Sequence, residues 1–546
     1  MTYFDLGTYT RAVTTASREA QLWFDRGLVW TYGYNHEEAI VCFEKALQHD
    51  PACAMAQWGI AYAIGPNYNK PWETFEPEEK PEAIERAQRA LTAAIERSAD
   101  ASAIERALIE ALRQRYPDTA DIETFDPWND AYADAMRQVH RAHPGDLDVC
   151  ALFAEAIMNR TPWQLWDLPT GKPAEGADTL EAIEVLETAF ATLDGAWDHP
   201  GLLHMYIHLM EMSPHPERAL RHGDRLSTLV PEAGHLLHMA THIDVLCGDY
   251  QNVVARNSNA IVADRKFLAH AGSENFYSAY RCHNYHFKIY GALFLGQPVP
   301  AFEAADELIE TLPEEALRPF ADWFESFIPM KQHVFVRFGL WDEIVAQPLP
   351  RDAELYSVTT AMMRYARTVA FANLGNVAAA EAERDAFFAA RDAVPESRML
   401  FNNTCADILN VAEQMLLGEL EYRKGNLDTA FDHLRRSVEL DDMLPYDEPW
   451  SWMQPTRHAL GALLLEQNRL DEAEAVYRAD LGLDTTLSRA CQHPNNVWSL
   501  HGLHECLERR GETVEIQHVK LRLDQALARA EVPIRASCFC RGKMAA

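Results

Sequence analysis

The sequence predicts an all-α solenoid of antiparallel helix pairs, and three observations carry that prediction. The chain has 546 residues, too many for one compact core, whereas a stack of repeats buries each apolar face on its neighbours and escapes that limit. Small and aromatic residues recur at matching offsets: Gly27, Ala39, Phe43, Ala46 and Pro51, then Gly418, Tyr422, Gly425, Asn426 and Ala430, then Gly461, Ala473 and Tyr477. Two groups of histidines are also offset by one constant length, with His204 to His238 and His208 to His242 each spanning 34 residues.

A period of 34 with Gly, Ala, Phe, Ala and Pro in these slots is the pattern of tetratricopeptide (TPR) repeats. The small residues let the two helices of a pair approach closely, and the proline ends the second helix before the next begins. Residues 22–51 make the clearest pair. Further pairs are expected at 202–230, 234–265, 283–312, 356–392 and 494–529. The period weakens between about 66 and 130, and PNYNKPWETFEPEEKPEA reads as a proline-punctuated loop. TPWQLWDLPTGKPAEGAD, 161–178, reads as a second long aromatic loop. Loops of this length in a compact stack are often functional, and these two are candidates to close over a groove. The expected organisation is a single solenoid over 1–546, with N-terminal repeats at 18–65 and an irregular helical region at 66–198. Histidine-rich repeats follow at 199–315, C-terminal repeats at 316–530 and a cysteine-containing tail at 531–546.

The net charge of −33 repels phosphate and argues against nucleic acid as a partner. Because that charge is spread along the chain, it describes a solvated outer face and not a disordered arm. No apolar run reaches the roughly 18 residues needed to span a bilayer, so no membrane partner is expected. The first residues lack the basic and apolar regions of a signal peptide. Ten cysteines scattered through a long chain do not read as a disulfide framework. The expected compartment is the cytoplasm.

Half of the 22 histidines fall between His199 and His286. Spacings of three, four and seven place His204, His208 and Glu211 on one helix face, and His235, His238 and His242 on another. The shared offset of 34 sets the two ladders on equivalent helices of successive repeats, at roughly 8–10 Å axis separation. Aligning Gly296 with Gly248 puts His283 and His286 in the slots of His235 and His238. Imidazole suits Zn, Cu, Fe and Ni, and a carboxylate adds Fe, Mn or Zn. Seven histidines and Glu211 are enough for one or two ions of a transition metal, with Fe or Cu favoured and Zn or Mn as alternatives. The order His-x3-His-x2-Glu is not the HExxH arrangement of metalloproteases. His199 is an outer ligand or a helix-start residue. Glu155, Asn159, Tyr206, Tyr280, Tyr285 and His501 are candidates to support the site or contact a substrate. Cys538 and Cys540 form a Cys-x-Cys pair suited to soft metal or redox chemistry.

Several blocks, among them YNHEEAIVCFEKAL, CAMAQWGIAYAIGPNYNKPW, HPGLLHMYIH, GHLLHMATHI, HNYHF, DEPWSWMQPTRHALGALLLE, NVWSLHGL and SCFCR, together resemble a family of long bacterial and fungal TPR proteins named for their repeats. The resemblance spans about residues 20–541 and implies the fold, not an activity. It also implies that positions 2, 5, 9 and 12 of each first helix line a concave groove. His235 and His283 match position 2, His204, His238 and His286 position 5, His208 and His242 position 9, and Glu211 position 12.

The leading expectation is therefore a metal-dependent enzyme, an O2-dependent oxidoreductase acting on a small molecule in the groove. The first alternative is a non-catalytic adaptor whose groove binds a peptide or protein partner. A metal-dependent hydrolase at the same site is the second.

Overall fold

The computed structural model describes residues 3–116 and 124–541. The fold is all-α and of the TPR type: antiparallel helix pairs joined by tight turns, with two short two-stranded ladders. The chain divides into two units. The first comprises Met1–Ile243 and Asn259–Tyr280, the second Asp244–Ser258 and Arg281–Ala546. Residues 542–546 of the expected tail lie outside the described residues. Among the described residues, no helix is long and apolar enough to cross a membrane.

The first unit opens with the pair Arg18–Tyr32 and His36–His49. Asn35 caps the second helix by accepting the Glu38 N–H. The turn between them leaves Tyr34 at φ 55°, a left-handed conformation that side-chain-bearing residues rarely adopt. The pair closes through the Phe43 ring, which sits between Gly27 and Gly59; a Cβ on either glycine would lie 2.6 Å from that ring. This is the physical content of the small–aromatic repeat pattern, extended to the third helix, Ala54–Ile64.

The expected irregular region is more helical than its weak period suggests. It contains Glu79–Glu96, Ala103–Leu112, Asp126–Ala142, Leu147–Met158 and Thr179–Thr192. These helices run from 10 to 18 residues, so no constant period survives although the elements do. The first proline-rich loop is shorter than expected: residues from Glu79 onward are helical, and Pro81 falls in the first turn, where its missing N–H removes no helix bond. The 161–178 loop folds into a ladder of Trp166–Asp167 with Lys172–Pro173. The Trp166 indole donates to the Leu209 carbonyl at 2.7 Å, which fastens this loop to the helix Pro200–Glu211.

The second unit carries the regular pairs Ser357–Asn373 with Val377–Arg391, Cys405–Lys424 with Leu427–Asp442, Thr456–Glu466 with Leu470–Asp480, and Val497–Arg510 with Glu515–Leu527. Gly425 ends Cys405–Lys424 in the left-handed conformation that such a cap needs. The Tyr477 ring fills the space between Gly461 and Gly502, repeating the Phe43 device.

Candidate metal centre

The helix Pro200–Glu211 begins where the His199 ring accepts the Leu202 N–H at 3.1 Å and Pro200 supplies a pre-set first φ. Every residue of this helix is buried. Gly201 admits the Tyr32 ring at a distance that a Cβ would reduce to 2.5 Å. That close approach brings His204 Nδ1 to 2.6 Å from the Tyr32 carbonyl. One turn on, His208 Nδ1 lies 2.9 Å from Glu211 Oε1.

The second ladder does not lie on one unbroken helix. Gly234–His238 and Ala240–Leu246 meet at Met239, and the His242 N–H bonds the Met239 carbonyl three residues back at 3.2 Å. The tightened turn still leaves His235, His238 and His242 on one side. His242 Nδ1 lies 2.8 Å from Glu211 Oε2, so the two carboxylate oxygens of Glu211 receive one imidazole from each ladder. His238 Nε2 stands 2.7 Å from His242 Nε2. The Thr241 hydroxyl donates to the His238 carbonyl at 2.7 Å and has its oxygen 3.3 Å from His238 Nδ1.

These contacts set the tautomers. A carbonyl or carboxylate oxygen at Nδ1 requires Nδ1–H, which leaves the lone pair on Nε2. This holds for His204, His208 and His242. The Nε2 atoms of His204 and His208, and both ring nitrogens of His235, have no hydrogen-bond partner among the described residues. One nitrogen from each of these three rings lies within 4.8 Å of the other two, and His208, Glu211 and His242 form a second such trio. His204, His208, Glu211, His235 and His238 are fully buried, and His242 is 1 % exposed. Burial, followed by the neighbouring imidazoles, holds His208 and His235 neutral, well below the ordinary histidine range. Burial pushes His204 down to about 3. The result is a set of uncharged imidazoles whose lone pairs converge, with a carboxylate behind them.

Aromatic rings wall the cluster. Tyr34 lies 4.6 Å from His204 and stacks on His208 and His235 at 5.9 and 5.6 Å. Tyr280 lies 4.3 Å from His235, and the Tyr277 hydroxyl accepts the His235 N–H at 3.0 Å. The two long loops contribute Tyr68 and Trp163, at 5.0 and 5.8 Å from His208. They are joined where the Trp163 N–H donates to the Tyr68 hydroxyl at 3.1 Å. Beyond Tyr34 and Tyr277 opens a cavity of about 310 Å³ that Asn35, His36, Lys70 and Phe276 also line. The Lys70 ammonium sits over the Phe75 and Phe276 rings and pairs with Glu79 at 3.0 Å.

His199 is a helix cap, with Nε2 3.3 Å from Asp148. Glu155 is buried and accepts the Tyr62 hydroxyl at 2.5 Å. Burial and then the Glu155 charge hold the Tyr34 phenol well above its ordinary value, so Glu155 and neighbouring Asn159 stand behind the aromatic wall. Tyr206 turns away and donates to Glu187 at 2.7 Å, because two residues along a helix from His204 and His208 is the opposite face. His283, Tyr285 and His286 belong to the second unit. There, His283 meets the Phe401 ring edge-on and His286 lies parallel to it; His286 Nε2 is 2.8 Å from Met453 Sδ. His501 is also in the second unit, its pKa lowered by burial. Cys538 and Cys540 are joined by a disulfide.

Sequence reasoning passed over Tyr34, Tyr68, Trp163 and the orienting groups Tyr32 and Thr241. Tyr34 and Trp163 share one signal, a positive φ on a bulky aromatic residue, which is a property of conformation and not of residue type.

The fold and the cluster define an all-α TPR-type chain with a buried polyhistidine centre. No family model and no curated protein sequence matches it. Solved structures with which it shares similarity include Naa15/Naa10 bound to HypK-THB, at 14% identity over 93% of this chain and 70% of that one, TM-score 0.23. The anaphase-promoting-complex hetero-tetramer Cut9–Hcn1 aligns at 14% identity over 96% of both chains, TM-score 0.24. Yeast Tom70 aligns at 10% identity over 93% of both, TM-score 0.27.

Proposed function

We propose that the first unit holds one or two transition-metal ions among His204, His208, His235, His238 and His242, and that the chain is a metal-dependent enzyme acting on a small molecule. The observation that carries this reading is the convergence of the buried rings of His204, His208 and His235, with Nε2 of the first two and both nitrogens of the third lacking a hydrogen-bond partner among the described residues. Unpaired buried polar atoms are costly. At 2.7 Å the His238 Nε2–H donates to the His242 Nε2 lone pair, so a metal ion at that pair would take the place of the bridging proton. In this reading Glu211 orients His208 and His242 instead of ligating, as carboxylates behind metal-bound histidines do. A bound Fe or Cu ion would supply oxidative chemistry, and Zn or Mn would polarise water. The protein's own part is to fix the rings, exclude water with Tyr34 and Tyr280, and admit a ligand beside Trp163 or through the cavity beyond Tyr34. Imidazole ligands suit Fe and Cu as well as Zn, so the ion that the site takes up decides between oxidative and hydrolytic chemistry.

The second reading is a non-catalytic adaptor. The cavity rim favours it, since Glu37, Glu82 and Arg86 place charges of both signs around an open recess, as a peptide-binding surface requires.

Elemental analysis of the purified, untagged chain beside a His208→Ala/His235→Ala variant separates the readings. About one or two equivalents of Fe or Cu, lost in a variant that keeps its helix content, is the expected result. Zn or Mn at that level moves the assignment to a hydrolase. Absence of metal after anaerobic reconstitution with each ion leaves the adaptor.

A further inference from the structure

The second unit contains a different constellation, independent of the histidines. Cys538 and Cys540 are joined by a disulfide, and the two sulfurs and a carboxylate oxygen of Glu419 lie within 4.8 Å of one another. This tail is fastened on both sides. The Ser537 hydroxyl donates to the His458 carbonyl at 2.8 Å and pairs with the Tyr477 hydroxyl at 2.6 Å. The Ser537 carbonyl accepts from Arg337 at 2.6 Å. The Phe539 ring packs edge-on against Trp498, the Cys540 carbonyl accepts from Arg423, and Arg541 forks onto Glu505 at 2.6 and 2.9 Å.

The two sulfurs are not equivalent. Cys540 is buried, 1 % exposed, whereas Cys538 is half-buried. Cys538 Sγ accepts the Cys540 N–H at 3.1 Å, a contact that favours the thiolate at Cys538. Glu419 is buried on the helix Cys405–Lys424, with Oε2 accepting from the Asn373 amide at 2.9 Å. Asn373 in turn is held by Arg423 at 2.7 Å.

We propose that Cys538, Cys540 and Glu419 form a thiol–disulfide exchange site that accepts two electrons from a dithiol, with Cys538 as the attacked sulfur and Glu419 as the proton carrier. A thiolate of the dithiol, its proton gone to solvent, attacks Cys538 Sγ. The Cys538–Cys540 bond breaks, and Cys540 leaves as a thiolate that takes the proton from Glu419. The second thiol gives its proton to the Glu419 carboxylate and attacks its partner sulfur in the mixed disulfide. The dithiol departs as a disulfide, and Cys538 is released and protonated from solvent. The dithiol is oxidised by two electrons and the Cys-x-Cys pair is reduced by two. Burial raises the Glu419 carboxyl to about 7, so near neutral pH it exists in both forms that the two steps need.

The test uses the full chain, with dithiothreitol as the dithiol and alkylation read by mass spectrometry at the 538–540 segment. The oxidised protein should resist alkylation there, and titration in dithiothreitol redox buffers should show one two-electron transition. Cys540→Ser, given oxidised glutathione as the disulfide, should form a mixed disulfide at Cys538 with release of one glutathione thiol, whereas Cys538→Ser, which leaves only the buried sulfur, should form little. Glu419→Gln should slow reduction about 10²-fold, and the wild-type advantage should fall as pH rises through 7. Glu419→Asp, which keeps the carboxyl, should recover part of that rate and serves if the amide variant fails to fold. Ready alkylation of both cysteines in air-equilibrated protein would overturn the proposal. So would a Glu419→Gln variant with the wild-type rate and pH profile, or a reduced pair that takes up zinc and no longer reoxidises.

Discussion

What a buried imidazole can do is decided by the partner of its other nitrogen. His204 and His208 sit four residues apart on one helix, yet their Nδ1 atoms are held by different oxygens, a backbone carbonyl and Glu211. The spacing that put these rings on one face was legible in the sequence, because helical periodicity is local. The role of Glu211 was not, since it depends on His242 arriving from another helix. Glu211→Gln tests that role. Gln keeps one acceptor but presents a donor to the other ring, so either His208 or His242 must change tautomer or lose its bond. Metal affinity should fall about 10–100-fold in competition with a chromophoric chelator, with metal stoichiometry unchanged at saturation. A histidine outside the cluster gives the clearest pH signature. His222 stacks on Trp197 at 4.6 Å, and burial lowers its pKa to about 4, against about 6.5 in an unfolded chain. Between those values the unfolded state binds the extra proton, so the stability contribution is present above about pH 6.5 and is lost as pH falls towards about 4. Relative to His222→Phe, which keeps the stacking but cannot titrate, the wild type should lose about 1 kcal/mol between about pH 6.5 and 5.5. Urea unfolding of both proteins at each pH reads that difference.

Between elements, the contacts are set by the residues that are absent as much as by those present. Gly27 and Gly59 are needed because the Phe43 ring occupies the space where their side chains would be. On helix propensity alone Gly59→Ala should stabilise by about 1 kcal/mol. The contact distance reverses that sign, and the variant should instead lose about 1–3 kcal/mol through overpacking, measured as a lower urea midpoint with unchanged slope. Phe43→Leu combined with Gly59→Ala should recover part of the loss, since the smaller side chain makes room. The helix pairs were legible for this same reason, as the small–aromatic pairing leaves a trace at fixed offsets. The loops left no such trace. Their aromatic content marked 66–83 and 161–178 as more than linkers, but the placement of Tyr68 and Trp163 on His208 depends on a left-handed Trp163 and on the Trp166–Leu209 bond, neither of which has a period.

Across the molecule, the repeat period predicted a stack but carried no information about its division into two units. A TPR-type stack is held by contacts between neighbours, so ligand binding should protect it locally. In the proposed metal site all five histidines and Glu211 lie in the first unit. An opening that separates Pro200–Glu211 from Gly234–His238 scatters the ligands and must release the ion. At a free metal concentration about 100 times Kd, each such opening becomes about 2.7 kcal/mol more costly, so exchange through it slows about 100-fold. Hydrogen exchange should therefore slow across 200–211 and 234–242 on loading, and remain unchanged in the second-unit helices Ser357–Asn373 and Cys405–Lys424, whose own openings leave the ligands in place. The His208→Ala/His235→Ala variant should show neither effect. Protection spread evenly over both units, or confined to the second, would mean that the ion binds outside the cluster, and the convergent imidazoles would then have to be explained as part of the core.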